Sequence, residues 1–136
     1  MRNKLIILLV SAALPLAPAF AQSPFPTVVS TNSAAISIST ATTTELIPLV
    51  SGKAIAITSL NVVAAGTGNI QFVYGTGTAC ATGTTAVTGN YNLIAQAGFA
   101  LGSGVAPILI LPPGKALCAT TSAAVGMAGS VSYAQF

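Results

Sequence analysis

The side chains able to carry chemistry are few. The 136-residue chain holds no His, no Asp and one carboxylate, Glu45, against four cations, Arg2, Lys4, Lys53 and Lys115. General acid–base catalysis draws on His or carboxylates, often in pairs. Two-carboxylate glycoside hydrolysis and a Ser–His–Asp triad are therefore both excluded. A Ser–Lys pair stays formally open, but Lys53 and Lys115 each follow a turn glycine, Gly52 and Gly114. An exposed ammonium is the ordinary outcome there, and no catalytic residue is expected.

Metal and cofactor chemistry fare no better. Zinc takes four Cys, His or carboxylate ligands, and calcium takes several carboxylates. The chain offers two cysteines, Cys80 and Cys118, and one Glu. The two Gly-Lys pairs lack the glycine spacing of a phosphate loop, and Ala follows each Lys where Ser or Thr would hold magnesium. No metal and no cofactor is expected. The two cysteines are expected to bridge, which suits an oxidising compartment.

The N-terminus names that compartment. Met1–Lys4 is basic, residues 5–19 are apolar, and Ala19 and Ala21 are small residues at the −3 and −1 positions of a cleavage site. This is the pattern of a signal peptide, residues 1–21, cut between Ala21 and Gln22. The protein is expected to be periplasmic, cell-surface or extracellular. Loss of Arg2 and Lys4 lowers the side-chain charge from +3 to +1. The basic character belongs to the signal peptide, so nucleic acid is not an expected partner. A membrane barrel is not expected either: Phe136 shares its face with Ala134, Ser132 and Ser130, which are not lipid-facing types.

Residues 22–136 carry only Glu45, Lys53 and Lys115 as charges, where ordinary domains hold about 25% charged residues. Little repulsion then acts between copies, and self-association is favoured. The function expected is that of a non-catalytic structural or surface-assembly protein (a coat, filament or virion-like decoration subunit), with itself as partner in a homo-oligomer or polymer. The alternative is a secreted binding module for a glycan or a partner protein. Tyr74, Tyr91 and Tyr133 are the residues able to stack on a sugar, although core or rim packing suits their strand patterns better.

Whatever the role, strands must position these residues. No segment after residue 21 keeps a 3.6-residue apolar period, while β-branched residues and turn signals dominate. Residues 22–32 read as a flexible arm and residues 33–136 as one domain. Strands are expected at 34–40, 45–50, 53–65, 69–74, 91–97, 105–111, 115–121 and 129–136. In 53–65, Ile55 and Ile57 share one parity and Leu60 and Val62 the other. Either both faces are covered or a bulge near Ser59 shifts the register. Ile70, Phe72 and Tyr74 face one way. Residues 75–89 read as a Gly/Thr loop fastened by Cys80, residues 98–104 as a Gly-punctuated loop, and 105–111 as a strand buried throughout. About eight short strands without helices predict an all-β fold: an antiparallel β-sandwich, jelly-roll-like.

From Asn69 to Phe136 the chain resembles small β-rich structural proteins of tailed bacteriophages and prophage regions. The likeness lies in Phe72-Val73-Tyr74-Gly75-Thr76-Gly77, in Thr88-Gly89, in Pro113-Gly114-Lys115-Ala116-Leu117 and in Gly129-Ser130-Val131-Ser132-Tyr133-Ala134. It implies a jelly-roll fold and a structural role, and brings no functional site. The signal peptide departs from it, since virion parts assemble in the cytoplasm. That departure points to an exported bacterial relative.

Overall fold

A computed structural model describes Ser30 and residues 32–136 of the chain. Ten strands follow in order: β1 (Asn32–Ile38), β2 (Thr43–Ile47), β3 (Ile55–Ala64), β4 (Gly68–Thr76), β5 (Thr82–Ala86), β6 (Tyr91–Leu93), β7 (Gly98–Leu101), β8 (Leu109–Leu111), β9 (Ala116–Thr121) and β10 (Met127–Gln135). One 3₁₀ turn, Thr78–Cys80, lies between β4 and β5.

All pairings are antiparallel and fall into two sheets. Sheet A runs β1-β10-β3, with β7 and β8 both on the far side of β3; sheet B runs β2-β9-β4, with β5 and β6 both on the far side of β4. Each of those pairs is one strand position in two pieces. The ten segments thus occupy eight positions, and successive positions alternate between the sheets except for β4 and β5/β6, which are neighbours in sheet B; this is jelly-roll order.

Alternation decides which side of each strand is buried. Ile36 and Ile38 of β1, Ile55 and Leu60 of β3, and Met127 and Val131 of β10 face inward from sheet A. Ile47, Ile70, Phe72, Leu117 and Ala119 meet them from sheet B. Phe72 is fully buried and is the largest side chain of this core.

The change of parity in β3 is a bulge. Ser132 pairs with Ser59 and Tyr133 pairs with Ile57, leaving Thr58 as the extra residue. One added residue turns Ile55 and Ile57 to the same side as Leu60 and Val62. Thr58 is buried; its hydroxyl donates to the Ser132 carbonyl at 3.2 Å.

That bulge also explains a departure from the expected strands. A continuous buried strand over 105–111 is not formed: only Leu109–Leu111 is strand, and Val105 and Ile110 are 63% and 64% exposed. β7 pairs with Leu60–Val63 and β8 with Ile55–Ile57, on either side of Thr58. The chain between them swings out and returns through Gly104 N–H to Thr58 O (3.1 Å) and Ile108 N–H to Ile57 O (2.7 Å). Gly102 starts this excursion with φ 76°, and a Cβ there would collide with the Thr58 carbonyl.

Three further boundaries differ from expectation. Residues 98–101, read as loop, form β7, because their backbone completes the β3 edge despite the glycine. The stretch 75–89 is not all loop; it ends β4 and contains the 3₁₀ turn and β5. The strand expected over 91–97 stops at Leu93, where residues 94–97 turn so that Gln96 N–H reaches Ala64 O in the other sheet (2.7 Å). Pro48 follows the edge strand β2, which has its own bulge at Leu46.

Candidate functional site

The three charges of the described region stand on separate elements. Glu45 is exposed on β2, Lys53 is exposed after the turn at 50–53, and Lys115 is half-buried before β9. Among the described residues no group of three His, Cys, Asp or Glu side chains is placed to hold a metal ion. The tyrosines serve packing. Tyr74 and Tyr133 lie against the core, and Tyr91 of β6 stacks on Phe99 of β7 with ring centroids 4.3 Å apart. Because β6 belongs to sheet B and β7 to sheet A, this stack closes one side of the sandwich.

Cys80 and Cys118 are bonded, with Cα atoms 6.2 Å apart, and both are fully buried. Cys118 points away from the main core. With Val73, Ala116 and Cys80 it forms a second, small cluster on the outer face of sheet B. The 3₁₀ turn is thereby held flat over that face. Its backbone is unusual: Gly77, Ala79 and Cys80 all have positive φ, at 73°, 50° and 59°. Left-handed backbone at a non-glycine residue costs roughly 1–2 kcal/mol, and here the sulfur bridge and the Thr84 hydroxyl, which donates to Cys80 O, hold it in place. Gly75 beneath leaves the room: a Cβ would stand 2.7 Å from Cys80 O. The expected cleavage residues Ala21 and Gln22 lie outside the described residues.

One groove of about 410 Å³ opens at the end of sheet A where β1 finishes. Its lining includes Ile38, Val63 and Met127, with Ser37, Ser39 and Gln96 as its polar side chains. No acid or base reaches it. Such a surface offers hydroxyl and amide hydrogen bonds to an uncharged group.

The most distinctive surface is the outer face of sheet A, which composition alone did not single out. None of its five strands contains a charged residue. Read across β1, β10 and β3, the outward rows are Ser33–Ser132–Ser59, Ala35–Ser130–Asn61 and Ser37–Ala128–Val63. Asn61 ties the middle row, donating to Ser130 Oγ at 2.7 Å and accepting from Ser130 N–H at 3.1 Å. The signal was present in the sequence as alternate Ser and Ala, but pairing alone shows that these stretches lie side by side. No helix among the described residues is long and apolar enough to cross a membrane. No family model, no curated protein and no solved structure matches the chain.

Proposed function

We propose that this protein is an exported, non-catalytic structural component that works by associating with copies of itself. The observation that carries the reading is the chargeless sheet A. Sheet faces that must stay in water usually hold Lys, Glu or other charges, which keep neighbours apart. Here an entire five-stranded sheet has none. Export is supported by the N-terminal pattern and by the bonded cysteines, which suit an oxidising compartment. The jelly-roll order is the fold that the likeness to phage structural proteins implies, and it fits a surface coat, filament or decoration subunit.

The groove beside Ser37 and Gln96 favours a second reading, a module binding an uncharged glycan or a protein segment. Negative-stain electron microscopy of purified exported protein, alongside a glycan array, separates the two. Ordered rings, filaments or sheets with no glycan signal support assembly. Isolated particles with a saturable glycan signal support the binding module.

A further inference from the structure

A sandwich has four sheet edges, and unguarded edges pair with other chains. Three edges of this protein are guarded. β2 carries the charge of Glu45, a bulge at Leu46 and Pro48 directly after it. The β7/β8 edge is broken by the excursion over 102–108. The β5/β6 edge is broken over 87–90, and β5 has a register shift of its own against β4. β1 is the exception. It is seven residues long, keeps unbroken register with β10, and contains neither charge nor proline.

The hydrogen bonds of β10 show which β1 groups are available. The Ser132 carbonyl accepts from Thr58, and Ser130 N–H donates to Asn61, so both residues turn their backbone groups toward β3. Residues opposite one another in an antiparallel pair either both point at each other or both point away. Ser33, opposite Ser132, and Ala35, opposite Ser130, therefore direct N–H and C=O away from β10, to a side where no strand of the described residues pairs with them, and Ser37 follows by the two-residue period.

We propose that β1 pairs antiparallel with β1 of a second copy, about a two-fold axis at Ala35, so that sheet A runs on across the dimer. The inference rests on the assembly reading above and names its interface. The strand is self-complementary in this register. Ser33 meets Ser37 of the partner and Ala35 meets its own equivalent, all on the outer face; Ala34 meets Ile36 on the inner face. Each side is thus kept in phase, as register demands. The pairs at Ser33, Ala35 and Ser37 are those whose backbone groups already face outward. A closed two-fold contact of this kind is isologous, with the same patch used twice. It leaves the outer face of sheet A free for further contacts. The interface is narrow and belongs to the weak end of specific association.

The test uses exported protein, residues 22–136, in gel filtration with light scattering from about 5 to about 500 µM. Wild type is expected to pass from monomer to dimer or larger species. Ala35→Pro removes an outward N–H while sparing the ladder to β10; it is expected to raise the dissociation constant at least tenfold with the disulfide and far-ultraviolet spectrum kept. A charge pair guards against a folding artefact. S33K/S37K sets like charges opposite across the two-fold and is expected to be monomeric at low salt. S33K/S37E sets opposite charges there and is expected to dimerise at least as well as wild type. Equal behaviour of these two variants, in a wild type that does associate, overturns the β1 interface and leaves assembly standing. A wild type monomeric throughout, its edge covered by its own preceding segment or by solvent alone, overturns both.

Discussion

Replacing both cysteines, Cys80→Ala with Cys118→Ala, tests how the 3₁₀ turn is held. The bridge closes a loop of 38 residues. Loop-closure entropy for that length is about 4 kcal/mol at 25 °C. Two native features reduce the loss. The left-handed backbone at Ala79 can relax once the bond is gone, recovering roughly 1–2 kcal/mol, while the Thr84 hydroxyl still holds the carbonyl of residue 80. The turn covers only the small cluster with Val73 and Ala116, so the main core around Phe72 keeps its packing. A net loss of about 2–3 kcal/mol is expected. At about 4 °C per kcal/mol for a domain of this size, the melting temperature should fall by about 8–12 °C. Calorimetry gives the shift, and hydrogen exchange places it: residues 75–84 should lose protection while Ile70–Phe72 and Leu117 keep theirs. A shift under about 3 °C with unchanged exchange over 75–84 would refute the view that the bond pins this turn. Complete unfolding would refute the view that the main core stands without it.

Other outcomes follow from single positions. Phe72→Ala empties the centre of the core and should cost about 3–5 kcal/mol in denaturant unfolding; a loss below 1 kcal/mol would mean the two sheets do not meet there. Gly75→Ala places a methyl 2.7 Å from Cys80 O; it should destabilise the fold by about 1–3 kcal/mol and speed reduction of the bridge by dithiothreitol, whereas an unchanged reduction rate argues against the close approach. Intact mass of exported protein should begin at Gln22, and recovery of the full-length chain from membranes would contradict the signal-peptide reading.

Much of this fold was legible in the residues. Clean alternation at Ile70, Phe72 and Tyr74 gave β4 its faces, because a period of two needs no knowledge of neighbours. The parity change between Ile57 and Leu60 announced a choice between two covered faces and a bulge, and the pairing of β10 decides for the bulge. Two lone cysteines in a chain expected to be exported pointed to the bond that is found. Misreadings came where a distant partner sets the local structure. Val105–Leu111 looks like a buried strand from its apolar content, yet it serves an edge that must step around Thr58, so Ile110 is left in solvent. Gly98–Leu101 looks like a loop from its glycine, yet β3 offers it a ladder. The chargeless face of sheet A was legible only in part. Each strand shows its own Ser and Ala, but their adjacency belongs to the strand order, which no single segment encodes.

The proposed role is association of the chain with itself, and sedimentation velocity of wild-type residues 22–136 over a hundredfold dilution is its decisive test. Because sheet A carries no charges, association should rise with concentration and persist, within a few-fold in dissociation constant, between low salt and about 1 M salt, where the Debye length falls to about 3 Å. A single monomeric boundary at every concentration and salt would contradict it.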